Sequence, residues 1–136
     1  MGLILDASVL IPAERKAQNA PAAIADLLRC FPGEDLAVSA VTVAELAHRV
    51  ARSNTPAREI GRQFLLELMG AMSVYSVTTS IALSAGRMDG DCTARGLRIA
   101  LAGLLIGATA LELGYRVATI SLRHFQMIPQ SGIVPF

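Results

Sequence analysis

Two acids in this chain stand where a carboxylate needs a reason. Asp6 lies in the stretch L-I-L-D-A-S-V-L-I, between two apolar runs, with a hydroxyl two residues on at Ser8. An ionised carboxylate taken out of water is strongly disfavoured unless it is paired, hydrogen-bonded or bound to a metal. Two readings of Asp6 are open on the residues alone: it caps the helix that follows, or it sits at the end of a strand and holds a ligand. Glu45 lies in V-S-A-V-T-V-A-E-L. Thr42-Val-Ala-Glu45 fits a capping box and Arg49 follows four residues later at surface-pair spacing, so a structural role is the first reading of Glu45. Asp89 and Asp91, two residues apart, could reach one cation together, but they read first as the solvated end of a helix.

The other polar residues offer less. Glu14, Glu34, Asp35, Glu59 and Glu67 fall on solvated faces or turns, and Asp26 lies beside the apolar stripe of its helix. His48 and His124 have no histidine at ligand spacing. The chain has no G-x-S-x-G, no Walker glycine loop, no G-x-G-x-x-G and no H-E-x-x-H, which leaves the hydrolase elbow, the phosphate loop, the dinucleotide site and the zinc protease unsupported. Cys30 and Cys92 belong to no C-x-x-C or Cys/His cluster and are expected to be buried free thiols.

These side chains need a scaffold, and 136 residues suffice for one domain, 1–136, with a core of its own. The chain is 53% hydrophobic and 17% charged, more apolar than an ordinary soluble domain, so part of its surface is expected to be covered by a partner. The net charge of +1 gives no global case for a nucleic-acid binder. Its most apolar uncharged run, residues 99–111, is too short for a bilayer and holds two glycines, so no membrane span is expected. Nothing resembles an export signal, and a cytoplasmic protein is expected.

Leu3–Leu5 reads as a buried strand ending at Asp6, after which Ser8 can cap a helix from Val9 with Pro12 in its first turn. Helices are predicted over 20–31, 42–52, 57–72, 79–94 and 101–113, the last apolar all round and therefore central. Short strands are predicted over 36–40, 73–77 and 116–120, with a last edge strand over 132–135. This alternation predicts an α/β sandwich on a small, mainly parallel sheet, and such sheets carry their sites beyond the carboxyl ends of the strands.

The segments LILDASVLI, VSAVTVAEL, RIALAGLLIGATALELGYRVAT and RHFQMIP, in that order and spacing, resemble the PIN-domain ribonucleases, in particular the VapC toxins of VapBC toxin–antitoxin pairs. The resemblance covers nearly the whole chain. It implies a PIN-like three-layer α/β/α sandwich in which acids from distant segments hold Mg²⁺ (or Mn²⁺) for hydrolysis of RNA phosphodiesters. Hard cations take oxygen ligands, and a bound metal acidifies water and neutralises phosphate charge. Carried over residue by residue, it assigns metal binding to Asp6 and Glu45, positioning hydroxyls to Ser8 and Ser121, and an RNA-backbone contact to Arg123.

This chain also departs from the pattern. Where relatives carry A-D-L-L-I, it has Ala102-Gly103-Leu104-Leu105-Ile106, so Gly103 stands at the position of the third acidic ligand. Ser121 stands where relatives usually carry Asn or Asp. Asp89 or Asp91 would be the substitute ligands. The resemblance thus implies an Mg²⁺-dependent endoribonuclease toxin whose activity is impaired at Gly103, with a VapB-type antitoxin, an RNA substrate and a second copy of the chain as partners. Its alternative is a catalytically inactive PIN module that binds antitoxin or RNA without cutting. A DNA-directed relative fits less well, because the chain has no room for a helical-arch insertion.

Overall fold

The computed structural model describes residues 2–121 and 132–135. Five strands form one sheet: β1 (Gly2–Leu5), β2 (Asp35–Ser39), β3 (Ser73–Tyr75), β4 (Arg116–Thr119) and β5 (Ile133–Pro135). Their order is β3-β2-β1-β4-β5 and every pairing is parallel, so β5 is the edge strand the sequence predicts. Six helices connect them: α1 (Ala7–Lys16), α2 (Ala20–Cys30), α3 (Ala40–Arg52), α4 (Thr55–Ala71), α5 (Thr79–Ala94) and α6 (Leu101–Leu113).

The side-chain alternation of a strand divides the core in two. Leu3 and Leu5 of β1, with Leu36 and Val38 of β2, pack with Leu10, Leu27, Leu46, Phe64 and Leu68 on one face of the sheet. Ile4 of β1, Ala37 of β2 and Val117 of β4 pack on the opposite face with Ile81, Cys92, Leu104 and Ile106 of α5 and α6. Three α/β/α layers result. Parallel crossovers are almost always right-handed, so connections that step outward from β1 to β3 and the one that returns to β4 leave their helices on opposite faces. The direction of travel reverses between β1 and β4, which makes the gap beyond their carboxyl ends the switch point of the sheet.

Several boundaries differ from the predicted ones, each for a local reason. α1 starts at Ala7 and is capped by Asp6, whose side chain accepts from the Ser8 N–H, so Ser8 is not the cap. Pro12 consequently lies inside α1 rather than in its first turn, where the helix forgoes one backbone hydrogen bond. α3 starts at Ala40 because the Ser39 Oγ accepts from the Val41 N–H at 3.1 Å; the cap is taken three residues before Thr42, so no capping box forms. Glu14 is not solvated but ion-paired to Arg49 at 2.8 Å, with 11% of its side chain exposed. Cys92 is buried as expected, whereas Cys30, at the end of α2, is exposed. α6 is largely buried and ends on Gly114, whose φ of 69° is left-handed and suits glycine. Among the described residues, no helix is long and apolar enough to cross a membrane.

Candidate active site

The site lies beyond the carboxyl ends of β1 and β4. Leu5 pairs with Ala118 across these strands, and the Asp6 N–H continues the ladder to the Ala118 carbonyl at 3.0 Å. The next residues, Asp6 and Thr119, therefore face each other at the switch point. The Asp6 Oδ2 accepts from the Thr119 Oγ1 at 3.0 Å and from the Ser8 Oγ at 2.5 Å. Ser8 Oγ also accepts from the Ile120 N–H at 3.1 Å, and Thr119 Oγ1 from the Ser121 N–H at 2.8 Å. Asp6 is 9% exposed and Thr119 fully buried. The cap and the strand-end ligand are thus compatible roles for Asp6: its contacts gather on Oδ2 and fix the carboxylate rotamer.

Asp6, Ser8, Glu45, Gly103 and Ser121 all line one cavity of about 300 Å³, together with the apolar Ile99 and Ile106. Glu45 arrives on α3, and both structural readings of it fall away. The cap of α3 is Ser39, and Arg49 pairs with Glu14 instead. That ion pair joins α1, which follows Asp6, to α3, which carries Glu45, one helical turn from the site. Partial burial of the Glu45 carboxyl raises its pKa above the ordinary 4.5, and the charge of Asp6 raises it further.

Asp6 and Glu45 are hard oxygen donors held together against mutual repulsion, with two hydroxyls beside them, and that donor set fits a small divalent cation. Among the described residues, no group of three or more His, Cys, Asp or Glu could hold a metal. Asp89 lines a neighbouring cavity, on whose boundary with this one Ile99 stands. Asp91 is exposed on α5 and lines neither. Neither aspartate is brought to Asp6 and Glu45. At Gly103 a Cβ would meet only Ile99 Cγ2, at 3.8 Å, an ordinary contact, so the wall has space for a side chain there. Arg123 and His124 lie outside the described residues.

Thr119 is the site residue that sequence reasoning missed. Its signal was present: a polar residue directly after the apolar pair Val117-Ala118 repeats the pattern that singled out Asp6 after Leu5. A larger cavity, about 530 Å³, opens between Glu14, Asn19, Arg49, Asn54 and Phe64, but its one carboxylate is already paired with Arg49.

The PIN domain family model matches residues 3–120. No curated protein sequence matches the chain. Among solved structures, a chain of VapBC2 from Rickettsia felis bound to a DNA fragment from their promoter has a TM-score of 0.83 at 20% identity, covering 100% of this chain and 99% of that one. A chain of DNA-bound VapBC from Salmonella typhimurium gives 0.83 at 20% identity, covering 99% and 98%. A chain of VapBC-1 from nontypeable Haemophilus influenzae gives 0.80 at 24% identity, covering 99% and 98%. At these identities the likeness is one of fold.

Proposed function

The chain belongs to the PIN domain family, and on that premise we propose that it is a VapC-type toxin built as an Mg²⁺- or Mn²⁺-dependent endoribonuclease. The observation that carries this reading is the convergence of Asp6, Glu45, Ser8 and Ser121 on one cavity at the switch point of the sheet. Asp6 and Glu45 would hold the cation, which when bound acidifies water and offsets charge on the phosphodiester. Ser8 and Thr119 keep the Asp6 carboxylate in one orientation through Oδ2. The Ser121 hydroxyl, placed by its own N–H on Thr119, is available to a phosphate oxygen or a water. Arg123 is assigned to the RNA backbone by the family pattern.

A VapB-type antitoxin and a second copy of this chain are the proposed protein partners. The antitoxin is supported by the VapBC complexes among the fold relatives. Exposed large apolar side chains, among them Ile60, Leu66, Leu83 and Leu101, give such partners surface to cover.

Gly103 favours a second reading, a PIN module that binds antitoxin or RNA without cutting, because the third carboxylate is missing from the cavity wall. RNA cleavage by the purified chain in Mg²⁺ or Mn²⁺, with EDTA as blank, separates the two. Cleavage abolished by Glu45→Gln supports a working enzyme with a reduced ligand set. Silence relieved by Gly103→Asp supports a disarmed toxin on an intact scaffold, and silence from both supports the binding module.

A further inference from the structure

The carboxylate cavity is the middle of three that adjoin. On one side it shares Ala7, Ile11 and Glu45 with a shallow cavity completed by Val41, Ala44 and His48. On the other it shares Ile99 with the cavity lined by Arg98, Asp89 and Thr93. The outer two differ in chemistry. The first has a floor of small and aliphatic side chains with one imidazole at its edge. The second carries a guanidinium.

Arg98 is unpaired among the described residues and sits on an anchored stretch of backbone. Among the described residues, Arg29, Arg49, Arg62 and Arg116 are ion-paired, whereas Arg98 has no hydrogen bond or ion pair there, although Asp89 lines the same cavity. Its backbone is held on both sides. Gly96 turns the chain at a left-handed φ of 74°, the Leu97 N–H bonds the Cys92 carbonyl at 2.8 Å, and Ile99 is buried. An exposed arginine between two anchored residues presents its guanidinium to an anion from a fixed backbone position, with only the side chain left to be ordered on binding. His48 is likewise exposed, one turn of α3 beyond Glu45, and its ring stands at the edge of an apolar floor that a flat heterocycle would cover.

We propose that the three cavities form one track for an extended single strand of RNA, with a base stacked at His48 over Ala7, Ile11 and Val41, the scissile phosphate at Asp6 and Glu45, and a neighbouring phosphate on Arg98. Single strands are bound by such a combination of stacking platforms and backbone cations. The track deepens the ribonuclease reading and rests on it, and it assigns two substrate-positioning residues outside the family's acidic set.

The test is fluorescence anisotropy of a short end-labelled single-stranded RNA, titrated with the full chain in EDTA and in Mg²⁺ at several salt concentrations. His48→Ala should weaken binding about fivefold or more and His48→Phe should retain it, since stacking needs a ring and not a proton. Arg98→Gln should lower the slope of log affinity against log salt by about 0.7, the loss of one phosphate contact, while Arg98→Lys keeps the slope. Arg62→Gln, in an exposed pair on α4, should bind as the parent does. Melting temperatures equal to the parent's exclude misfolding as the cause. RNA binding that survives His48→Ala and Arg98→Gln overturns the track and leaves the ribonuclease reading standing. Equal weakening by His48→Phe and His48→Ala, or equal affinity for a duplex of the same sequence, also overturns it. A parent chain that binds no RNA overturns both.

Discussion

The Thr119 Oγ1 and the Asp6 Oδ2 meet at 3.0 Å across the switch point, which ties the last residue of β4 to the first residue beyond β1. Thr119 also accepts from the Ser121 N–H, so one buried hydroxyl orders a carboxylate and a loop together. Thr119→Val keeps the shape and removes the hydrogen bonds. It should lower stability by about 1–3 kcal/mol, the usual cost of leaving buried polar partners unmet, and reduce any RNA cleavage by more than that loss explains. Thr119→Ser should restore both. Urea unfolding beside cleavage rates checks this, and a Thr119→Val chain as stable and active as the parent would rule the tie out.

Glu45 carries, when ionised, a cost that a bound cation would relieve. Its carboxyl is held above 4.5 by partial burial and then by Asp6. An acid with a raised folded pKa contributes stability that is fully present below its unfolded value, near 4.5, and that is lost as pH rises through the folded value. At neutral pH the metal-free Glu45→Gln chain should therefore be more stable than the parent, by a few tenths of a kcal/mol once solvent screening is allowed for. That advantage should shrink as pH falls through the folded value and vanish below the unfolded one, near 4.5. In Mg²⁺ the order should reverse, because only the parent gains binding energy. Melting curves in EDTA and in Mg²⁺ at two pH values measure all of this.

The layers and parallel sheet were legible because Leu3–Leu5, Leu36–Val38 and Val117–Ala118 are apolar runs too short for helices, separated by helical periodicities. What stayed hidden was long-range. Nothing local in Thr42-Val-Ala-Glu45 says that Ser39 has already capped the helix, so Glu45 looked structural until the cap moved upstream. Glu14 looked solvated because its partner, Arg49, is 35 residues away. Asp89 and Asp91 offered the right chemistry at a plausible spacing, but α5 carries them away from Asp6. The resemblance of whole segments to a family brought Asp6 and Glu45 together before their geometry did; residue spacing alone left Asp6 open between cap and ligand and gave Glu45 an ordinary helix-end role.

The Glu14–Arg49 pair should matter to the site although it touches no ligand. It joins α1 to α3 at 2.8 Å with both side chains largely sheltered, so it sets how far apart Asp6 and Glu45 are carried. Glu14→Gln should cost about 1.5–3 kcal/mol, typical of a hydrogen bond to a charged group. It should also reduce the stabilisation by Mg²⁺, a readout that mere loss of stability leaves unchanged. Thermal shifts with and without Mg²⁺ compare the two effects, and an unaltered Mg²⁺ shift would confine the pair to holding the helices.

Gly103 is where the chain's chemistry can be changed most by one side chain. It is the third residue of α6, whose cap residue Ala100 supplies no side-chain hydrogen bond. An aspartate there meets only Ile99 at Cβ and replaces a residue that weakens a helix by about 0.5–1 kcal/mol relative to alanine. Its charge near the helix N-terminus contributes about 0.3–1 kcal/mol more. Against these gains stands repulsion from Asp6 and Glu45, so metal-free Gly103→Asp should differ from the parent by under about 1 kcal/mol. With a cation the balance tips, since an added ligand charge contributes on the order of 1 kcal/mol or more. Mg²⁺ affinity should then rise about tenfold, with RNA cleavage rising alongside it. Titration of Mg²⁺ by calorimetry and cleavage under the same conditions test this directly. A variant that folds, binds Mg²⁺ no better and cleaves no faster would show that the wall at Gly103 is not the place from which a third carboxylate reaches the cation.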